Sequence, residues 1–333
     1  MDLNFSFFFS NFPELTITGL AFGAIYALIA LGYTMVYGVL QLINFAHSEV
    51  FMYGTFAALW FTVATVGSGN PGGIQTLAIL LGALLAAMAM SALIALILER
   101  VAYRPLIKRN APRLIALISA IGASFVFAEL MGLRDRVAGW VGLEDDLRTY
   151  VGRARINNSM PNIVENKVLF SIGDANVRMV DVIVILSAIL MMVAVDQFVR
   201  RSRLGRGIRA TAQDPETAAL MGVNSTRVIQ LTFLLGGLMA GVAAFLYMLK
   251  IEVTKFDVGF LLGVKAFTAA VLGGIGNLRG ALVGGLVLGV VENWGSAILG
   301  SEWRHVVAFV LLVVILLFRP TGILGESLGK ART

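Results

Sequence analysis

The 333-residue sequence has no cysteine, only seven prolines and two histidines, and charged side chains make up just 14% of it. The missing cysteine excludes disulfides, thiolate catalysis and cysteine metal centres. His47 and His305 are too far apart to share a metal-ligand spacing, so no metal is expected. No Gly-x-x-x-x-Gly-Lys-Ser/Thr run occurs, so the chain cannot hold ATP through a P-loop. Gly274-Ile-Gly276 begins like a dinucleotide fingerprint, but Arg279 stands where the third glycine belongs. No nucleophile with an activating base can be picked out, and an enzyme is not expected. A soluble domain carries about 25% charged residues. At 14% charged and 58% hydrophobic, this is a polytopic membrane protein. The net charge of +6 needs no nucleic acid, because basic residues gather in cytoplasmic loops. Met1 to Phe12 lacks Lys and Arg and is rich in Phe, unlike a cleavable signal, and is expected to rest at the interface.

What the sequence does have is apolar runs of spanning length, about 20 residues each. They fall near 15–40, 47–66, 74–98, 114–133, 179–199, 228–249 and 304–318. The stretch 261–299 is too long for one crossing and is interrupted by Gly273, Gly274, Gly276 and Gly280. It reads as two spans, or as a broken, re-entrant helix near 264–280 followed by a span. The expectation is an all-α bundle of eight or nine transmembrane segments, forming a single transmembrane domain over 1–333. The loops carrying Arg100 to Arg113 and Arg200 to Arg227 belong in the cytoplasm, which leaves the N-terminus outside. The tail, with Arg319, Lys330 and Arg332, also reads as cytoplasmic, and that favours an odd number of crossings. The 134–178 loop is nearly balanced in charge, as an extracytoplasmic loop can be. Within it, Val168–Ile172 and Val177–Val180 around Gly173–Asn176 read as a small hairpin, either a docking surface or a structural lid.

Three polar or glycine-rich segments carry the functional argument. In the cytoplasmic loop 200–227, Asp214 can N-cap a short helix over 215–221, with Pro215 at its first position, Glu216 on its positive end and Gly222 as its stop. Ala218, Ala219, Leu220 and Met221 give it a compact face, with Arg206, Arg209 and Arg227 nearby. A knob made to be gripped by an ATP-driven partner is one reading; a surface turn joining two spans is the other. Between the first two spans lie Asn44, His47, Ser48 and Glu49, with Gln41 before them. A glutamate at mid-membrane costs roughly 2.5–3.5 kcal/mol on insertion scales. The segment is therefore either pathway lining or an interfacial turn in which Asn44 caps the following helix. His47 alone reads more readily as a structural residue than as a proton relay. Gly19 and Gly23 in the first span permit close helix approach. Gly273, Gly274 and Gly276 mark a break that lines a pathway or acts as a hinge. Glu129 faces either the bundle interior or the outer interface.

Four blocks in order resemble the LivH-type permease, the membrane subunit of branched-chain amino-acid ABC importers. They are Asn44-Phe-Ala-His-Ser-Glu49 with Gly54, Arg209 to Asn224, Lys265 to Gly276, and Arg319 to Gly325. Ser48 stands where that family usually has glycine. The resemblance implies a type II importer-like bundle in the bacterial inner membrane. It also implies a homologous second permease, two ABC ATPase subunits and a periplasmic solute-binding protein as partners. ATP and magnesium would then sit on the ATPases, with no cofactor on this chain. The 214–222 segment would be the coupling helix. Urea and short-amide importers share these motifs, so the solute stays open. An ion-coupled transporter or channel, using Glu49 and Glu129, is the competing class, and a purely structural assembly subunit is a third.

Overall fold

A computed structural model describes residues 4–66, 72–109, 111–142, 150, 154–172 and 175–325. Eight of the helices are long and apolar enough to cross a membrane: Phe12–Leu40, His47–Val66, Gly73–Lys108, Arg113–Gly132, Met179–Arg201, Ser225–Ile251, Leu278–Leu299 and Ser301–Phe318. In chain order the helices are α1 (Phe5–Ser10), α2 (Phe12–Leu40), α3 (His47–Val66), α4 (Gly73–Leu98), α5 (Arg104–Lys108), α6 (Arg113–Gly132) and α7 (Arg134–Val141). They continue as α8 (Met179–Arg201), α9 (Arg203–Gln213), α10 (Pro215–Leu220), α11 (Ser225–Ile251), α12 (Val258–Gly273), α13 (Leu278–Leu299) and α14 (Arg304–Phe318). The strands are β1 (Asn158–Ser159), β2 (Val168–Ile172), β3 (Ala175–Arg178) and β4 (Val253–Thr254). The chain forms two compact units. One comprises Met1–Gln41, Asn166–Val228 and Lys265–Thr333; the other comprises Leu42–Glu165 and Ile229–Val264.

The first unit is built on glycine. A Cβ added to Gly23 would lie 2.6 Å from the Gly285 carbonyl, and one on Gly289 would lie 2.3 Å from the Gly23 nitrogen. α2 and α13 therefore meet backbone to backbone, the close approach that four-residue glycine spacings permit. Their outer ends are tied by Trp294 Nε1 donating to Thr16 Oγ1 at 3.1 Å and Asn293 Nδ2 donating to the Leu15 carbonyl at 2.6 Å. α1 rests on that end: Phe8 meets the Trp294 ring edge-on at 6.1 Å, while Phe9 is left 71% exposed.

The 261–299 stretch is resolved as one short helix and one span. α12 runs unbroken for 16 residues, so the break is confined to Gly274–Asn277 and does not extend back to 264. At 1.5 Å per residue α12 spans only about 24 Å, short of a bilayer core of about 30 Å. Arg279 donates to Asp196 on α8 at 3.2 Å, and the Leu324 amide donates to the Gly273 carbonyl at 3.0 Å. The break thus sits level with the Arg-rich end of α8 and beside the tail segment up to Gly325. Among the described residues eight helices are long and apolar enough to cross, and α12 is a shorter apolar helix beside them.

The hairpin forms, but its second strand is Ala175–Arg178 and not 177–180, because Met179 and Val180 already belong to α8. Gly173 and Asp174 lie outside the described residues. In the second unit, α3, α4 and α11 pack through small residues: an added Cβ on Gly54 would lie 2.4 Å from Ser91 Oγ, and one on Gly241 would lie 2.5 Å from the Met88 backbone. A π-helical turn, Glu99–Tyr103, closes α4 ahead of Pro105, and the buried Glu99 carboxylate pairs with Arg104 at 2.8 Å. Proline lacks the N–H that a regular α-helical bond would use, which is consistent with the altered pattern there.

Candidate functional site

The short helix α10 is built as its sequence dictates. Asp214 Oδ1 accepts from the Glu216 and Thr217 amides at 3.0 and 3.1 Å, and its Oδ2 accepts from the Thr217 hydroxyl. That hydroxyl, followed by the backbone donors, holds the Asp214 carboxyl below the usual carboxylate range. Pro215 fills the first position, and the helix ends at Leu220 with Met221 as its cap, one residue earlier than expected. Gly222 takes φ +84°, a left-handed stop that suits glycine. Ala218 is buried and holds the knob to its base, whereas Ala219 is exposed and Leu220 and Met221 are 87% and 81% exposed. The surrounding 200–227 segment is mostly helical, since Ser202 caps α9 through the Gly205 amide at 2.8 Å. Arg206, Arg209 and Arg227 are all exposed, and Arg209 Nη1 donates to the Val199 carbonyl at 2.6 Å.

The segment between α2 and α3 is enclosed by the protein. Asn44, His47, Ser48 and Glu49 are all buried to within about 2% of full enclosure. Asn44 starts α3 through its backbone carbonyl, which accepts from the His47 amide at 3.0 Å. Neither polar atom of its side chain has a hydrogen-bond partner among the described residues, so it is not the expected side-chain cap. Gln41, with φ +51°, turns the chain out of α2. Glu49 Oε1 meets Ser124 Oγ on α6 at 3.1 Å and Ser48 Oγ at 3.3 Å. Its Oε2 has no partner among the described residues. Gly259, on the first turn of α12, lies against both groups: an added Cβ would come 2.5 Å from the Ser48 carbonyl and 2.8 Å from Oε2. Ser124 and Gly259 gave no signal in the sequence, because a lone serine or glycine in an apolar helix is usual.

Gly273, Gly274 and Gly276 form a packed turn. Gly274 and Gly276 take φ +104° and +95°, and a Cβ on Gly273 would lie 1.9 Å from the Gly280 carbonyl. Gly322 and Gly325 close on Gly274, and Asn277 binds the Leu324 carbonyl at 2.8 Å. These contacts are those of a joint. Glu129 is half-exposed and paired with Arg155, so it does not point into the bundle interior.

The sequence reading missed a buried ionic cluster in the first unit. Glu292 Oε1 accepts from Lys265 Nζ at 2.7 Å, Arg304 Nε at 2.6 Å and Tyr26 OH at 3.3 Å. Glu292 is fully enclosed, Lys265 nearly so, and the Arg304 guanidinium lies 4.6 Å over the Phe22 ring. The signal was available: one acid and one lysine, each alone in an apolar helix, with an arginine opening the next.

Eight long apolar helices, glycine-packed and enclosing buried polar groups, define an all-α, multi-pass membrane protein. The family described as the permease component of branched-chain amino acid transport systems matches residues 15–316, and the chain belongs to it. The high-affinity branched-chain amino acid transport system permease protein BraD of Pseudomonas aeruginosa is 40% identical over 95% of this chain and 96% of its own length. The corresponding LivH protein of Escherichia coli K12 is 42% identical over 96% and 97%. A probable LivH of Methanocaldococcus jannaschii is 24% identical over 92% and 90%. No solved structure matches. The protein is accordingly a multi-pass permease of the bacterial inner membrane.

Proposed function

We propose that this permease moves a branched-chain amino acid inward by alternating access, within an ATP-driven assembly. Two ATPase subunits would supply the hydrolysis, a second permease would complete the pathway, and a binding protein would deliver the solute from outside. The observation that carries the ATP-driven part is the knob. Leu220 and Met221 expose apolar side chains on a helix held rigid by Asp214 and Gly222, in a loop otherwise rich in arginine. A secondary transporter has no use for such an object, whereas a groove on an ATPase does. On this reading Asp214, Pro215, Glu216, Ala218, Ala219, Leu220, Met221 and Gly222 form the coupling element. Asn44, His47, Ser48 and Glu49 contribute to the pathway. Gly273, Gly274 and Gly276 support it as a joint.

The test is reconstitution of the assembled transporter in nanodiscs with Leu220→Asp or Met221→Asp. The expected outcome is weakened ATPase binding and loss of binding-protein-stimulated ATP turnover, with the permease still folded. Full turnover in both variants would sink the coupling role.

A further inference from the structure

We propose that Glu49 is the residue of this pathway that receives the ammonium group of the zwitterionic solute, through its Oε2 atom. The inference rests on the permease reading above and adds to it a chemical class and an atom.

Glu49 is 1% exposed on a membrane-spanning helix, where an acid without compensation is costly and by default functional. Its two oxygens are treated differently by the fold. Oε1 is fixed between two serine hydroxyls, Ser124 on α6 and Ser48 on α3. Those contacts set the plane and the rotation of the carboxyl group. Oε2 is left with no partner among the described residues. A carboxyl held on one side and open on the other is pre-oriented to accept from one further donor. A primary ammonium supplies that donor in the form best matched to a carboxylate, a short, charge-assisted N–H···O bond. Asn44, in the same buried segment, offers a second side chain with unspent hydrogen-bonding capacity.

The Gly259 backbone packs beside Oε2, and the Asp257 carboxylate, two residues earlier, brings like charge into the same surroundings. Gly259 packs there, at the end of the connector that follows α11. That connector is tied to the 134–178 loop. β4 pairs with β1, Asn158 opposite Thr254 and Ser159 opposite Val253, and the Met160 amide donates to the Glu252 carbonyl at 2.7 Å. Arg134 holds the loop side by donating to the Ala154 carbonyl at 3.0 Å and to Asn158 Oδ1 at 3.3 Å. Glu252 takes φ +60°, a conformation unfavourable for a residue with a side chain, at the point where the connector leaves the helix. Displacing this ribbon would move Gly259 off Oε2. Access to the acid is thereby linked to the loop on which an external partner would act.

The experiment has two arms, both on the complete transporter with its ATPases and binding protein in proteoliposomes. In the first, the wild-type assembly is treated with dicyclohexylcarbodiimide, an apolar reagent for buried carboxyl groups, and adducts are mapped by mass spectrometry. L-Leucine and isopentylamine, which carry an ammonium, should protect Glu49, whereas 4-methylpentanoate, which lacks one, should not. Equal protection by all three, or by none, would overturn the proposal. In the second arm, Glu49→Gln should lower leucine transport about tenfold or more, the scale expected for losing one charge-assisted bond. Glu49→Asp should retain part of the rate, and Gly259→Ala, which crowds Oε2, should resemble Glu49→Gln. An assembled Glu49→Gln transporter with wild-type transport would equally overturn it. Failure of the permease reading itself would look different, because the wild-type assembly would then move no leucine.

Discussion

The Lys265–Glu292–Arg304 cluster makes a prediction whose ordering is more informative than its size. Glu292→Gln keeps the shape of the side chain and removes the charge that both cations share. Lys265, 4% exposed at its side chain, would be left without a counter-ion, whereas Arg304, 28% exposed, retains a route toward water. Removing one partner of a buried pair typically costs about 3–5 kcal/mol, chiefly because the remaining charge stays buried. Lys265→Met works the other way. The cluster holds two cations and one anion, so losing the lysine leaves Glu292 paired with Arg304 at 2.6 Å and the local charge balanced. Its cost should be that of an imperfect repacking, about 1–1.5 kcal/mol. The double variant Glu292→Gln/Lys265→Met should recover most of what Glu292→Gln loses, a coupling of about 3 kcal/mol or more, at the top of the range seen for residues in contact. The measurement is denaturant or heat unfolding of the four proteins in the same nanodiscs, read as a double-mutant cycle. Single variants of equal cost and zero coupling would refute the claim that the charge on Lys265 depends on Glu292.

Two further perturbations test the fold around the site. Gly289→Ala would drive a methyl to 2.3 Å from the Gly23 nitrogen, and α2 and α13 can relieve that only by separating; a loss of about 1–3 kcal/mol in unfolding measurements is expected, whereas Gly38→Ala, which meets nothing within 4 Å, should have little effect. For Asp214, whose carboxyl is held below its unfolded value, the cap stabilises the knob fully above that unfolded value and loses its contribution only as pH falls through the lower folded one. Amide hydrogen exchange at Glu216 and Thr217 should therefore stay slow through mildly acidic pH in the native protein and be fast at every pH in Asp214→Ala.

Signals that are local in the chain were legible, and those that depend on a distant partner were not. Asp214, Pro215 and Gly222 act on residues within one turn of themselves, and their helix formed within one residue of its expected end. Gly19 and Gly23 announced a close contact by their spacing, but only the fold matches them with Gly285 and Gly289. Asn44 shows the limit. A buried asparagine ahead of a helix and an exposed one capping it have the same sequence, and burial decided between them. The hairpin boundary moved because Met179 and Val180 suit a strand and a helix alike, and the long apolar run of α8 took them. Ser124 meets Glu49 across 75 residues, a pairing that no window of local sequence contains.

The two buried acids of this chain, Glu49 and Glu292, separate structure from function by the company each keeps. Both are essentially inaccessible, and each has one oxygen with no partner among the described residues. Around Glu292 the fold supplies two cations and a phenol on a single oxygen, with positive charge in excess. An acid compensated in that way is fixed, and moving it would cost the pairing of both bases. Around Glu49 the fold supplies two neutral hydroxyls and, nearby, the like-charged Asp257, none of which balances its charge. Such an acid is stable while neutral, or while a positive group visits it, and the second condition is what a passing ammonium provides. A structural ion network has reason to be complete at rest, whereas a transport site has reason to be incomplete, because a cation that stayed would block the next solute. On that criterion Glu292 holds the first unit together, and Glu49 is the acid that transport would use.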